Sequence, residues 1–312
     1  MPTLFSTLPQ VGDRVFLTDG GLETCLIFHD GVDLPDFAAF VLLADEPGRA
    51  ALRRYFVPYL ETAASAGVGL VLETPTWRAS PDWGARLGYS RDELDAANRA
   101  AVDLLVGLRE EYGTERAPVV VSGNIGPRGD GYSATSLMTP DEAQGYHSEQ
   151  IATFADTAAD LVTALTMTYS AEAIGVARAA AAAGMPSVIS FTVETDGVLP
   201  SGESLEDAVR AVDAATGSAP VYYMLNCAHP THFEATLTAG DSWRERIRGL
   251  RVNASTSSHA ELDDAVELDA GDPDDLARRV AQLHAGMPHL SVLGGCCGTD
   301  LRHIDAIRRA IA

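Results

Sequence analysis

Three of the four cysteines in the chain are placed where they could hold a metal ion. Cys227 stands in the segment LNCAHP, and Cys296 and Cys297 are adjacent in LGGCCGTD. Zinc in proteins is usually tetrahedral, so three thiolates would leave its fourth position for a substrate or water, as in catalytic sites. We therefore expect these three cysteines to bind Zn²⁺ and to form the catalytic centre, and we expect Cys25, the fourth, to pack in the core.

The same residues admit two other interpretations. Cys296 and Cys297 could cycle between dithiol and disulfide, but an adjacent pair closes a strained ring and C-x-x-C is the usual redox spacing. His229, two residues after Cys227, could be a fourth ligand or a proton shuttle, and His259 is a more distant candidate. For both histidines, a solvated or hydrogen-bonded position in a loop is the favoured interpretation.

The elements that must position these residues follow a regular order. Segments rich in Val, Leu, Ile and Thr predict strands, and each is followed by a region of helical spacing or a loop. The predicted strands are 14–21, 68–76, 118–126, 160–168, 186–194, 220–228, 247–255 and 290–298. The predicted helices are 47–66, 91–111, 139–159, 171–184, 204–216, 272–286 and 300–312.

Strict alternation of strands and helices predicts a parallel sheet, and eight repeats predict its closure into a (β/α)8 TIM barrel, an α/β fold. We expect residues 1–312 to form this single domain. An open doubly wound sheet is the alternative, but DGGLET after the first strand lacks the G-x-G-x-x-G pattern. Residues 21–46 are expected to form a loop over the active face. The acidic segment 261–275 is expected to be a solvated surface rather than a calcium loop.

Composition excludes several classes of function. The chain of 312 residues contains no lysine, which removes Schiff-base aldolases, pyridoxal phosphate enzymes and lysine-dependent P-loops. Its net charge of −22 disfavours nucleic acid and anionic membranes as partners. Neither a leader peptide nor a membrane span is indicated, so we expect a cytoplasmic protein with reduced thiols. The oligomeric state stays open, and a homo-oligomer is compatible with the sequence.

The C-terminal ends of the strands are where a barrel of this kind collects its chemistry, and here they are polar. Asp19 and Asn253 could each merely stabilise a turn, but their shared position on the rim favours a functional role. Tyr222 and Tyr223 lie inside a strand and are expected to pack in the core. The candidates for substrate contact are Asp19, Gly20, Gly21, Glu23, Thr24, Glu73, Trp77, Glu194, Asn226 and Asn253.

Together these motifs resemble the homocysteine S-methyltransferase family, zinc-dependent TIM barrels that include betaine- and S-methylmethionine-using enzymes. The motifs, spread over nearly the whole chain, are DGGLET, SGNIGP, SFTVETDGVLPSGESL, NC and GGCCGT. The resemblance implies that Cys227, Cys296 and Cys297 bind zinc and that homocysteine takes the fourth position as a thiolate. It also implies that Asp19, with the backbone of Gly20 and Gly21, contacts the amino acid, and that Asn226 supports its neighbouring ligand.

The chain departs from the family pattern at two places. Family members commonly carry a Glu at the end of strand four that holds the amino group of homocysteine, and here Leu165 stands at that position. A carboxylate elsewhere on the rim could substitute, the candidates being Glu73, Glu172 and Glu194, or the acceptor could be another thiol. Trp77 could face a cationic methyl donor, but the adjacent Arg78 argues against a simple aromatic cage.

The expected activity is zinc-dependent methyl transfer from a small onium donor to the thiol of homocysteine, giving methionine. S-methylmethionine or S-adenosylmethionine is the first expectation for the donor, and betaine comes second. The enzymatic alternative is a zinc thiol alkyltransferase of the same fold that acts on a different thiol. The other alternative is a non-catalytic zinc-binding barrel.

Overall fold

The eight predicted strands form a closed parallel barrel in the computed structural model of the protein. The structure describes residues 8–135, 137–239, 241–265 and 267–311. Residues 1–7 of the N-terminal segment, Val266 in the acidic segment and Ala312 at the end of the predicted last helix lie outside the described residues. The strands are β1 Phe16–Thr18, β2 Gly69–Glu73, β3 Val119–Ile125, β4 Leu161–Met167, β5 Ser187–Phe191, β6 Tyr222–Asn226, β7 Ile247–Val252 and β8 Val292–Gly295.

The barrel closes where β1 pairs with β8, in the register Phe16↔Val292. All seven predicted helices are present, as α2, α4, α5, α6, α7, α10 and α11. Four further helices were not predicted, and α1 with two 3₁₀ turns replaces the irregular loop expected over 21–46. The helices are α1 Leu22–Phe28, α2 Glu46–Ala66, α3 Pro81–Arg86, α4 Arg91–Tyr112, α5 Pro140–Ala155, α6 Ser170–Ala182, α7 Leu205–Thr216, α8 Pro230–Ala239, α9 His259–Asp263, α10 Pro273–Gly286 and α11 Leu301–Ala310.

The inside of the barrel changes from apolar to polar along the strands. Side chains of a strand alternate between its two faces, so positions two apart point the same way. The buried apolar set inside the barrel is Leu8, Phe16, Val71, Val120, Leu161, Val188, Tyr222, Met224 and Val292. Two residues farther along their strands, the same face carries Glu73, Ser122 and Thr163, all buried. The carboxyl end of the barrel therefore opens onto a polar floor.

Two short helices that flank the candidate metal site begin at side-chain caps. Ser258 accepts a hydrogen bond from the Glu261 backbone at the start of α9. Asp300 accepts one from the Arg302 backbone at the start of α11, directly after the loop that carries Cys296 and Cys297. Such caps satisfy the free amides of a first helical turn and fix where the helix starts.

The predicted single-domain barrel is confirmed over the described residues. Its extension to residues 1–312 stays a prediction at the two ends of the chain. None of the helices within the described ranges combines the length and the apolar character that crossing a membrane requires.

Candidate functional site

A cavity of about 600 Å³ opens at the carboxyl ends of the strands, and all three predicted metal ligands line it. The Sγ atoms of Cys227, Cys296 and Cys297 lie within 4.8 Å of one another. Tetrahedral zinc with bonds of about 2.3 Å separates its sulfur ligands by about 3.8 Å, so the three thiols fit this ion in kind and in spacing.

The sulfurs of Cys227 and Cys296 are paired as a disulfide, with their Cα atoms 5.4 Å apart. This differs from the predicted trio of free thiols, and also from the redox alternative, which concerned Cys296 and Cys297. A metal ion would need both paired sulfurs in the reduced state. Desolvation raises the pKa of the Cys297 thiol to about 11.

Cys227 is held in an unusual backbone conformation at the end of β6. Its φ of 54° lies in the left-handed region, which is uncommon for residues other than glycine. Its carbonyl oxygen accepts hydrogen bonds from Nε2 of His259 (2.6 Å) and from Nδ2 of Asn253 (3.0 Å). His259 is thus hydrogen-bonded, as the favoured interpretation expected, but its partner is a candidate ligand residue and its side chain lines the cavity.

Tyr132, which the sequence did not single out, lies beside the sulfurs. Its hydroxyl oxygen is 3.7 Å from the Sγ of Cys297. Its ring packs on the imidazole of His259, with 4.3 Å between the centroids. On the far side of that imidazole, Nδ1 lies 3.2 Å from a carboxylate oxygen of Glu194. Glu194 is not among the described residues that line the cavity, and it contacts the site through His259.

Gly20 and Gly21 bring the first strand's loop against the loop that carries the cysteine pair. A Cβ atom on Gly20 would lie 2.6 Å from the Thr299 carbonyl oxygen, and one on Gly21 would lie 2.6 Å from the Cys296 carbonyl oxygen. No side chain fits at such distances, so this contact requires glycine. The hydroxyl of Thr24 accepts a hydrogen bond from the Gly298 amide (3.2 Å), which joins the same two loops.

Asp19 and Arg251 form a buried ion pair on the floor of the cavity. One carboxylate oxygen of Asp19 lies 2.7 Å from the Arg251 guanidinium, and the other accepts a hydrogen bond from Tyr55 (3.0 Å). Burial raises the pKa of Asp19 although Arg251 and Tyr55 lower it. The Asp19 carboxylate is therefore already paired within the protein. Arg251 was not among the site residues predicted from the sequence, although it occupies an inward-facing position of β7.

The end of β4 is apolar at the cavity and tightly bonded behind it. Leu165 lines the cavity, and Thr166 has a φ of 61°. Asn226 accepts hydrogen bonds from the Thr166 amide (2.8 Å) and the Ser190 hydroxyl (2.6 Å), and it donates to the Thr166 hydroxyl (2.8 Å). The Asn226 side chain thus holds the bent end of β4.

Of the three carboxylates considered as substitutes near Leu165, Glu73 alone lines the cavity. One of its oxygens is buried and lacks a hydrogen-bond partner within the described residues. Burial raises the pKa of Glu73 to about 7. Glu172 instead bonds His147 (3.0 Å) and the Arg128 amide (2.8 Å) away from the cavity. Burial likewise raises the pKa of Glu23, which lines the cavity, to about 7.

The ring of Trp77 already carries a cation of the protein itself, the Arg78 side chain. The Arg78 guanidinium carbon lies 4.0 Å from the centroid of the Trp77 ring and 3.6 Å from that of Trp83. Arg78 is therefore stacked between two indoles. This agrees with the argument against a simple aromatic cage. Trp77 also lines the cavity, and its contact with a methyl donor stays a prediction.

Two further expectations agree with the structure. His229 is a hydrogen-bonded histidine in the loop after β6: its Nδ1 bonds Thr231 (2.8 Å), it is not among the residues that line the cavity, and burial lowers its pKa to about 4. In the acidic segment, Asp263, Glu267 and Asp269 are exposed, as expected of a solvated surface, and they also line the cavity. The packing predictions for Cys25, Tyr222 and Tyr223 are confirmed, since all three side chains are buried.

Residues 16–311 match the family model described as homocysteine S-methyltransferase. A homocysteine S-methyltransferase 4 of Zea mays is 27% identical, covering 95% of this chain and 89% of that protein. A selenocysteine Se-methyltransferase of Brassica oleracea var. italica is 24% identical, covering 95% of this chain and 88% of that protein.

The fold is similar to that of the homocysteine methyltransferase MmuM from Escherichia coli. Its metallated form has a TM-score of 0.73 at 19% identity, covering 99% of this chain and 98% of that chain. Its oxidized form has a TM-score of 0.77 at 22% identity, covering 98% and 99%. The barrel and its sulfur-lined cavity thus define a thiol methyltransferase. The chain belongs to the homocysteine S-methyltransferase family.

Proposed function

We propose that this protein transfers a methyl group from a small sulfonium donor to the thiol of homocysteine, giving methionine, at a zinc ion held by Cys227, Cys296 and Cys297. The observation that carries the proposal is the meeting of three sulfur atoms, within 4.8 Å of one another, at a cavity of about 600 Å³. When bound there, zinc would supply the positive charge that deprotonates a substrate thiol. The cysteines must be reduced for this, which fits a cytoplasmic protein.

The reaction itself exchanges one carbon–sulfur bond for another. A bond forms between the acceptor thiolate and the methyl carbon, while the bond from that carbon to the donor sulfur breaks and its electron pair stays on the departing sulfur. The acceptor proton passes to solvent. Both products are neutral thioethers, so the donor charge disappears in the reaction, and the protein has only to align the two sulfurs and exclude water.

The residues around the sulfurs serve this alignment. Asn253 and His259 hold the Cys227 carbonyl, which fixes the direction of the Cys227 side chain. Gly20 and Gly21 allow the first loop to close against the cysteine loop. Residues that orient a metal ligand without binding the metal typically change metal affinity by about 10- to 100-fold when they are mutated.

Glu73 is proposed to bind the ammonium group of homocysteine. Leu165 offers no charge, and the carboxylate of Asp19 is paired with Arg251. Glu73 lines the same cavity with a buried oxygen that lacks a partner in the part of the chain that is described. An ammonium group placed there would satisfy this oxygen and favour the ionised carboxylate.

A sulfonium donor, either S-methylmethionine or S-adenosylmethionine, is proposed ahead of betaine. Recognition of a quaternary ammonium commonly uses open aromatic faces. Here Arg78 already packs against the rings of both Trp77 and Trp83, which disfavours an aromatic cage built from these two indoles. Leu165 favours one second candidate, the methylation of another thiol or of a selenol, as the name of the Brassica relative states for that protein.

The test uses protein purified anaerobically under reducing conditions. Zinc content is measured together with methionine formation from homocysteine and each of the three donors. We expect about one zinc per chain, turnover with a sulfonium donor, and loss of both in Cys227→Ser, Cys296→Ser and Cys297→Ser. Cys25→Ser is the control and should keep both, because Cys25 is a buried packing residue.

Zinc-loaded protein that methylates selenocysteine or another thiol but not homocysteine would replace the proposed acceptor. Zinc-loaded protein without activity on any thiol would support a non-catalytic barrel instead. Reduced protein without bound metal would overturn the proposal altogether.

A further inference from the structure

Arg78 is a buried arginine that has no ionic partner among the described residues. It is 8% exposed and lines the cavity. Within the described residues no carboxylate oxygen lies within 4.0 Å of its guanidinium, whereas Arg86 pairs with Asp36 (3.1 Å) and Arg251 with Asp19 (2.7 Å). Buried charges in proteins are normally paired. An unpaired guanidinium beside a substrate cavity therefore indicates a ligand that supplies the missing anion.

The neighbours of Arg78 fix its orientation. The rings of Trp77 and Trp83 both pack against the guanidinium, with their centroids 4.0 and 3.6 Å from its carbon. One terminal nitrogen donates a hydrogen bond to the Gly129 carbonyl oxygen (3.1 Å). The Nε atom is buried and lacks a partner among the described residues. A planar guanidinium held in this way matches the geometry of a carboxylate.

The acidic groups nearest to Arg78 do not form an ion pair with its guanidinium. Asp130, Glu23 and Asp36 favour its charged form, but burial outweighs them and lowers the pKa of Arg78 to about 10. Asp36 is also bonded to Arg86, and Asp130 to the Tyr132 amide. The charge of Arg78 is therefore only partly compensated inside the protein.

The position of Arg78 relates it to the donor rather than to the acceptor. Cys227 and Asn253 stand at strand ends, where the acceptor sulfur must bind. Arg78 lies farther out, in the loop between β2 and α3. It packs against Trp83 of α3, and Arg86, which also packs on Trp83 (4.6 Å), pairs with Asp36 in the segment after β1. A methyl donor must approach the acceptor sulfur from this open side, because the strands close the other.

Resting on the methyl transfer proposed above, we propose that Arg78 binds the carboxylate of the methyl donor. Arg78 thereby selects small onium compounds that carry a carboxylate. The two indoles serve to hold the guanidinium rather than to bind the onium group directly.

The test compares two donors that differ in one group, S-methylmethionine and its carboxamide, S-methylmethioninamide. Dissociation constants are measured by tryptophan fluorescence, and kcat/KM by methionine formation. The wild-type enzyme should prefer the carboxylate form by about 10- to 100-fold, the usual effect of a charge-assisted hydrogen bond. In Arg78→Gln this preference should fall to about two-fold or less, with the amide used as well as by the wild type.

Two further variants complete the experiment. Arg78→Lys keeps the charge without the planar edge and should retain a reduced preference. Arg86→Gln is the matched control, because Arg86 stacks on the same indole but is 61% exposed and paired with Asp36, so its loss should leave the preference unchanged.

The proposal is overturned if the wild type binds both donors equally, if Arg78→Gln keeps the wild-type preference, or if that variant raises KM for homocysteine instead. Because Arg78→Gln is measured with both donors in one preparation, a loss of folded protein cancels in the ratio. A wild-type enzyme that methylates homocysteine with neither donor would contradict the proposed function itself, so the two failures are distinguishable.

Discussion

Nε2 of His259 donates a hydrogen bond to the backbone carbonyl of Cys227 over 2.6 Å. His259 begins α9 in the loop after β7, whereas Cys227 directly follows β6. The bond therefore ties the segment covering the cavity to one of the proposed metal ligands. With Asn253 it offsets the cost of the left-handed conformation at Cys227, a cost of about 1–3 kcal/mol for a residue held in such a region.

Removal of these two donors should loosen the proposed metal site without unfolding the barrel. We expect His259→Gln and Asn253→Ala each to weaken zinc binding by about 10- to 100-fold. Zinc affinity is measured by competition with a chromophoric chelator, and folding by circular dichroism. His284→Gln is the control, because His284 also bonds a backbone carbonyl, that of Leu290 (2.9 Å), but lies outside the cavity. Unchanged zinc affinity in both site variants would contradict this role.

The buried carboxyl of Glu73 should make stability depend on pH. Its pKa rises from 4.5 to about 7 on folding, because burial disfavours the charged form. The folded state therefore holds the proton more tightly, so this contribution is fully present below pH 4.5 and is lost as pH rises through 7. The total change is about 3 kcal/mol.

Urea unfolding of the wild type and Glu73→Gln at pH 5 and pH 8 measures this effect. The variant should gain stability relative to the wild type at pH 8 and show little difference at pH 5. Equal differences at both pH values would mean that Glu73 titrates alike in the folded and unfolded states.

The preference for homocysteine over a thiol that lacks the amino group should depend on the carboxylate of Glu73. The probes are homocysteine and 4-mercaptobutanoate, which lacks only the amino group. We expect Glu73→Gln to lower kcat/KM for homocysteine by about 10- to 100-fold and to leave that for 4-mercaptobutanoate within about two-fold. Glu172→Gln is the control and should change neither, because Glu172 bonds His147 and the Arg128 amide away from the cavity.

A second change can move the anchor rather than remove it. Leu165→Glu added to Glu73→Gln puts a carboxylate on the neighbouring wall and should restore part of the activity with homocysteine. An equal loss of kcat/KM with both thiols in Glu73→Gln would mean that Glu73 maintains the structure of the cavity floor and does not bind the amino group.

Arg251 should stabilise the fold by compensating buried negative charge. Arg251→Met leaves Asp19 without its ionic partner, which typically costs about 3–5 kcal/mol. Asp19→Asn combined with Arg251→Met should recover part of that loss, because no carboxylate then needs compensation at Asp19. Arg210→Met is the control, since Arg210 and Glu206 form an exposed pair that should contribute less than about 1 kcal/mol. Chemical denaturation of the four proteins provides the free energies of unfolding.

The barrel was predictable because its signals are local. Each strand is a short apolar run, and the alternation with helices leaves few possible topologies. The three cysteines were predictable because they stand at strand ends of such a barrel. His259 was not, because SSHAELDD has the pattern of a capped surface helix and its bond to Cys227 depends on how α9 folds back over β6.

Other residues of the site differ in how much signal they carry. The position of Arg251 could have been predicted, because Gly249, Arg251 and Asn253 alternate with apolar residues along β7 and so share the inward face. Tyr132 follows a glycine-rich loop without periodicity. The stacking of Arg78 between Trp77 and Trp83 depends on side-chain conformations that spacing does not specify.

The pairing of β1 with β8 also sets an order of events during synthesis. A nascent chain that has emerged as far as β7 contains Cys227 but neither Cys296 nor Cys297. It also lacks the loop against which Gly21 packs, where the Gly21 amide bonds the Thr299 carbonyl (3.0 Å). The proposed metal site is thus completed only once β8 and the loop that carries Cys296 and Cys297 have been synthesised, and binding of an ion by all three cysteines would have to follow that step.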